Sequence, residues 1–207
     1  MRGIYDGILE GKVDEVAADV QKALNSEIAA DDILNQALIP AMDLVGERFG
    51  EGEIFIPQVL WSAKAMQAGM VLLKPRFTST SGAARGKVVI GTAKGDIHDI
   101  GKNLVAIMLE GAGLQVIDLG VDVSPERFVD VAVEQGAEVI AISALLTTTM
   151  QSMGEVVSLI RKRDLPSLKV IIGGAPVDMT FCRKIGADAY GMDAMDGMKK
   201  VRELLKG

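Results

Sequence analysis

The chain's single histidine, His98, stands in the run Gly95-Asp96-Ile97-His98-Asp99-Ile100-Gly101-Lys102-Asn103. A carboxylate close to an imidazole can accept the hydrogen of one ring nitrogen. That fixes the tautomer and leaves the other nitrogen free for a metal or a proton. A zinc site made by protein alone draws its ligands from several Cys, His or acidic side chains. Here no second histidine exists, and the lone cysteine, Cys182, is far along the chain. A metal bound by His98 would therefore take most of its coordination from something else, such as a macrocycle. An isolated histidine also has a blander explanation, as a surface or hydrogen-bonded core residue, so the surroundings must decide.

Two further runs have chemical potential. Ser143-Ala144-Leu145 is followed by Leu146-Thr147-Thr148-Thr149, which supplies hydroxyls where a strand would end. Gly173-Gly174-Ala175 supplies backbone without side chains, against which a ligand can lie directly. Taken singly, the first reads as a strand end with a helix cap and the second as turn chemistry.

The elements that must position these runs follow from periodicity. Short apolar runs at Lys87–Gly91, Gln115–Leu119, Glu138–Ser143, Lys169–Ile172 and Ala187–Tyr190 read as strands. Helical patterns lie between and after them, at 101–112, 125–135, 149–163, 177–185 and 194–206, with Ser124-Pro125 as a cap and first-turn proline. Five strands alternating with helices predict an α/β fold with a doubly wound parallel sheet. In such sheets ligands bind beyond the carboxyl ends of the strands, where the strand order reverses. The three runs above would follow the first, third and fourth strands, so all would gather at one edge.

The first 75 or so residues read differently. Ile33, Leu34, Ala37, Leu38, Ala41, Leu44 and Val45 follow the spacing of a core-facing helix, and Pro40 within it should bend it. A further helix starts near Pro57 and runs through Trp61, Ala65, Ala68 and Leu72, with Gly50-Glu51-Gly52 breaking the pattern before it. Ile4–Leu9 and Val13–Leu24 add two shorter amphipathic segments, so a four-helix bundle is expected. Thr78-Ser79-Thr80-Ser81-Gly82-Ala83-Ala84-Arg85-Gly86 has the composition of a flexible tether. The expected organisation is a helical domain over 1–77, a linker over 78–86 and an α/β domain over 87–207.

Composition excludes several classes. Of 207 residues, 49% are apolar and 24% charged, an ordinary globular mix that rules out disorder. Aromatics are only 4%, so the core must be aliphatic, with eleven Met helping to fill it. A net charge of −6 argues against nucleic acid or an anionic membrane as partner. The longest uncharged stretch, Val139–Gly154, is too short and too polar to span a bilayer. One cysteine permits no internal disulfide, and acidic residues come too early for a signal peptide, so a cytoplasmic location is expected.

Asp96-Ile97-His98-Asp99-Ile100-Gly101, then Ser143-Ala144-Leu145, then Gly173-Gly174 resembles the fingerprint of the cobalamin-binding family typified by the corrinoid domain of methionine synthase and by methyltransferase corrinoid proteins. That fingerprint is Asp-x-His-x-x-Gly, Ser-x-Leu and Gly-Gly in this order. The segment from Gly46 to Gln58 is similar to the family's cap segment, so the resemblance covers nearly the whole chain.

The resemblance implies a four-helix bundle cap before a Rossmann/flavodoxin-like cobalamin-binding domain, with cobalamin bound base-off and His-on. His98 would be the lower axial ligand of cobalt, Asp96 would take the other imidazole hydrogen, and Ser143 would bond to Asp96. Gly101 completes the first motif, while Leu145, Thr147, Gly173 and Gly174 would line the nucleotide tail, and Phe49 and Ile56 would shield the upper corrin face.

With no room for a substrate-activating domain, the chain is expected to be a non-catalytic methyl carrier, alternating between Co(I) cobalamin and methylcobalamin. Its implied partners are a substrate-specific donor methyltransferase, an acceptor methyltransferase using tetrahydrofolate or coenzyme M, and a reductive activator. The donor could be a methylamine, methanol, betaine or a methoxy-aromatic compound. An adenosylcobalamin mutase subunit shares the first motif but normally lacks the bundle. A cobalamin-dependent sensor would carry Trp-x-x-x-Glu-His, whereas here Trp61 is followed by Ser62-Ala63-Lys64-Ala65-Met66.

Overall fold

A computed structural model of the chain describes residues 1–76 and 86–206. These fall into two compact units, one formed by residues up to 76 with Ile107–Gly113, the other by 86–106 with the residues from Leu114 onward. The tether expected over 78–86 lies outside the described residues except for Gly86.

The first unit is helical: α1 (Arg2–Leu9), α2 (Val13–Asn25), α3 (Ala30–Ile33), α4 (Ile39–Gly50) and α5 (Ile56–Leu73). Helix α2 begins with Asp14 and Glu15 and carries Lys22 in its last turn, both favourable to the helix dipole. Its stripe of Val16, Val20 and Ala23 is buried. Close approach is enforced at Gly7, where an added Cβ would lie 2.7 Å from Val16 Cγ2. Ile4, Ile8, Ile33, Leu38, Met66 and Leu73 complete an aliphatic core.

The bend expected at Pro40 takes a specific form. Between α3 and α4, Leu34–Leu38 makes one wide π turn, closed by the Ile39 N–H donating to the Leu34 carbonyl. Proline lacks the N–H that an α-helix needs, and the wider turn just before it carries the helix past that gap.

The second unit is a parallel sheet of β1 (Lys87–Thr92), β2 (Gln115–Asp118), β3 (Val139–Ser143), β4 (Lys169–Gly173) and β5 (Ala189–Gly191) in the order β2-β1-β3-β4-β5. It alternates with α6 (Ile100–Gly111), α7 (Pro125–Gln135), α8 (Met150–Lys162), α9 (Met179–Ile185) and α10 (Ala194–Leu204). The doubly wound architecture expected from the sequence is the one found. Helix α7 is capped as anticipated: Ser124 accepts the Arg127 N–H, Pro125 opens the first turn, and Gly136 adopts the left-handed conformation at the end.

The core between the layers is almost entirely aliphatic around Phe128, with Val89, Ile140, Ile142, Met153, Val170 and Ile172. Burying each such side chain contributes about 1.5–3 kcal/mol. Chain order and spatial order part company at β1, which lies between β2 and β3. The loops leaving β1 and β3 diverge there, and this is the ligand crevice of such folds.

Candidate functional site

Register places Thr92, Ser143, Gly173 and Gly191 in one row across the carboxyl edge of the sheet. Just beyond Thr92, the loop turns back and presents Asp96 to the crevice. Asp96 is fully buried. Its Oδ1 accepts from the His98 backbone N–H at 3.0 Å and from His98 Nδ1 at 2.7 Å. Its Oδ2 accepts from the N–H groups of Leu145 (2.7 Å) and Leu146 (3.2 Å) and from the Thr149 hydroxyl (2.8 Å).

Burial by itself would push this carboxyl up. The N–H groups of Leu145 and His98, the His98 ring and the Thr149 hydroxyl outweigh it and hold Asp96 well below the usual carboxylate range. An ionised Asp96 at Nδ1 fixes the tautomer: Nδ1 carries the hydrogen and Nε2 keeps its lone pair. The imidazole is half exposed, at 49%, and Nε2 meets no hydrogen-bond partner among the described residues. The loop is held from below by the buried Thr92 hydroxyl, which donates to the His98 carbonyl at 3.0 Å.

Several of the residues anticipated from sequence converge here. Asp96, His98 and Leu145 meet directly, Leu145 through its backbone N–H. Ser143 does not bond to Asp96, as the resemblance implied; Thr149, at the amino end of α8, provides the hydroxyl instead. Physically, Ser143 still belongs to the strand, level with Gly173, whereas the chain needs the following turn to bring a side chain over the carboxylate.

Gly174 is explained by the fold itself: at φ +126° an added Cβ would lie 1.9 Å from the Ala144 carbonyl oxygen. Gly101, in the first turn of α6, is the opposite case, since an added Cβ would meet nothing within 4 Å. Thr147 is exposed. In the other unit, Phe49 is half-buried on the last turn of α4 and Ile56 is 42% exposed at the start of α5.

The chain resembles known proteins over nearly its whole length. A family model described as "B12 binding domain" matches residues 86–199, and a second of the same description matches residues 1–74. The chain belongs to the B12-binding corrinoid proteins, whose cofactor is cobalamin. It is 40% identical to a corrinoid protein of Desulfitobacterium hafniense (strain Y51), covering 98% of this chain and 95% of that one. It is 41% identical to the dimethylamine corrinoid protein of Methanosarcina barkeri, covering 99% and 97%. One chain of the methanol:cobalamin methyltransferase complex of Methanosarcina barkeri superposes with a TM-score of 0.88 at 32% identity, over 99% of this chain and 79% of that chain.

The residues present fit the cofactor. Among the described residues no cluster of three or more His, Cys, Asp or Glu could hold a metal ion. A cobalt already held by a corrin ring needs only one protein ligand, and His98 Nε2 is open to supply it. Ile97, Leu145 and Leu146 on the two loops and Ile100 at the start of α6 are exposed apolar side chains, a surface suited to a large, flat, largely apolar ring.

Proposed function

We propose that the chain is the methyl-carrying corrinoid subunit of a multi-component, cytoplasmic methyltransferase system. The observation that carries this reading is the half-exposed imidazole with a free Nε2, its other nitrogen tied to a buried, ionised carboxylate. Bound cobalamin supplies a cobalt centre that, as Co(I), is nucleophilic enough to accept a methyl group and later release it.

His98 would offer Nε2 to the metal in place of the cofactor's own benzimidazole base. Asp96 keeps the hydrogen on Nδ1 and raises the basicity of Nε2, which favours the higher oxidation states of the metal it ligates. Thr149 and the Leu145 and Leu146 N–H groups keep Asp96 ionised and oriented. Ser143, Leu145, Thr147, Gly173 and Gly174 border the way for the nucleotide tail, and Gly101 leaves room beside the ring. Phe49 and Ile56, in the helical unit, would supply apolar cover for the bound cofactor.

The donor is of the class served by these relatives, a methylated amine or methanol. A donor methyltransferase loads the carrier, an acceptor methyltransferase unloads it to tetrahydrofolate or coenzyme M, and a reductive activator rescues oxidised protein.

Absorption spectra of the apo chain mixed with hydroxocobalamin test the reading. Wild type should take up about one equivalent in the base-off form, and His98→Ala should alter the spectrum of the bound cofactor. Identical spectra for the two would overturn the axial-ligand role, and no uptake by wild type would overturn the carrier role.

A further inference from the structure

Asp122 lies in the loop between β2 and α7, and neither the fingerprint nor the proposed mechanism uses it. It is one of three non-glycine residues with positive φ among the described residues, at +53°. Left-handed backbone disfavours L side chains, and Asp is among the few that tolerate it. A residue held there despite the strain invites a reason.

The reason is a two-bond clip. Asp122 Oδ1 accepts the Gly95 N–H at 2.7 Å, and the Asp122 N–H donates to the Asp96 carbonyl at 2.9 Å. The loop after β2 thus grips the peptide unit before Gly95 and the one after Asp96, on either side of the short segment that carries the Asp96 side chain. On the other side, the Asp96 N–H donates to the Ala93 carbonyl at 3.0 Å. Gly95 itself sits at φ +81°, where the chain has no side chain to restrain it, so an outside restraint is needed.

The loop bearing Asp122 is anchored without the clip. The Thr92 N–H donates to the Gly120 carbonyl at 2.9 Å and the Val123 N–H to the Thr92 carbonyl at 3.0 Å. At its start, Asp118 pairs with the buried Lys102 and accepts the Gly120 N–H at 2.8 Å. Removing the Asp122 carboxylate therefore frees the Gly95 N–H, while the backbone bond to the Asp96 carbonyl and this loop stay in place.

We infer that Asp122 is a positioning residue: by clamping Gly95 and Asp96 it fixes the aim of the His98 ring, and so sets how strongly His98 binds cobalt. This rests on the axial-ligand reading above. The alternative is a purely local role in stabilising the turn.

Three substitutions separate the contributions. Asp122→Gly relieves the φ strain and removes the acceptor. Asp122→Ala removes the acceptor and keeps the strain. Asp122→Asn keeps an acceptor oxygen and tolerates the backbone. The readout is the Co(II)/Co(I) midpoint potential of the cobalamin-loaded chain, since weaker histidine binding to Co(II) makes reduction easier.

Groups touching a metal ligand are worth about 10- to 100-fold in its binding, and Asp122, acting one contact further out through Asp96, is expected at the low end, about tenfold. A tenfold loss raises a one-electron potential by about 59 mV. Asp122→Gly and Asp122→Ala should show that rise, while Asp122→Asn should stay within about twofold of wild type in histidine binding. In a His98→Ala background, Asp122→Gly should shift nothing. The inference is overturned if Asp122→Gly leaves the potential at the wild-type value, or if it shifts the His98→Ala protein equally. If His98→Ala alone matches wild type, the axial-ligand reading fails first, and this inference with it. Nitrogen NMR of the apo chain adds a cofactor-free readout: Asp122→Gly should reduce the Nδ1–H tautomer of the single histidine, and an unchanged tautomer ratio would contradict the inference.

Discussion

Thr149 Oγ1 stands 2.8 Å from Asp96 Oδ2, and the two residues are 53 positions apart in the chain. The contact joins the loop after β1 to the residue that precedes α8 and supplies the third hydrogen bond to one carboxylate oxygen. The hydroxyl also lies 2.9 Å from the Leu146 carbonyl, and its one hydrogen serves the charged acceptor. Thr149→Val keeps the shape and removes the donor. It should lower the unfolding free energy of the apo chain by about 1.5–3 kcal/mol, as expected for a hydrogen bond to a charged group. Ser143→Ala should change it by no more than about 0.5 kcal/mol. Urea unfolding of both variants checks this, and equal losses would contradict the assignment of Thr149.

Gly174 and Gly101 should respond in opposite ways to alanine. At Gly174 the new methyl would overlap the Ala144 carbonyl at a φ that alanine disfavours, so the loss should reach several kcal/mol, or folding should fail. At Gly101 the space is open and the position is helical. Gly101→Ala should leave the apo melting temperature unchanged or raise it, by up to about 1 kcal/mol of stability. The same variant should weaken cobalamin uptake, measured by titration, because its methyl group occupies room beside the proposed ring. Full uptake would remove Gly101 from the site.

The fold was readable because its determinants are local. Aliphatic runs of strand length, the Ser124-Pro125 cap and the helical spacing of Ile33 to Val45 each act over a few residues. The Asp96–His98 pair was readable for the same reason, since a two-residue separation lets a tight loop return the ring to its own carboxylate. Thr149 was not. Thr147, Thr148 and Thr149 are chemically alike, and only packing at the start of α8 buries the last one while exposing the other two. Asp122 was hidden because nothing in Gly120-Val121-Asp122 announces a left-handed aspartate. The close approach of Gly174 to Ala144 is not visible in the sequence, because it arises between the ends of two strands some thirty residues apart.

Acid should weaken the apo chain in a defined window. Asp96 and Asp196 both titrate below the ordinary carboxylate value of 3.8 when folded. For Asp196, burial pushes up, while the Lys200 ammonium and the Met192 N–H pull down more strongly. A depressed folded value means the unfolded chain binds more protons, so stability rises with pH there. The contribution is complete above 3.8 and is lost as pH falls through the folded values. Asp196→Asn should cost about 1 kcal/mol near neutral pH and reduce the acid-limb slope. Urea midpoints across roughly pH 3 to pH 6 measure both. A slope as steep as wild type would contradict the role given to Asp196.

Because the chain holds a single histidine, nitrogen-15 histidine labels one imidazole and nothing else. Electron paramagnetic resonance of the labelled chain loaded with Co(II) cobalamin then identifies the lower ligand directly. Each cobalt line should split into a doublet, the signature of the labelled nitrogen of His98. A triplet, the mark of an unlabelled nitrogen such as that of the benzimidazole, would contradict the account.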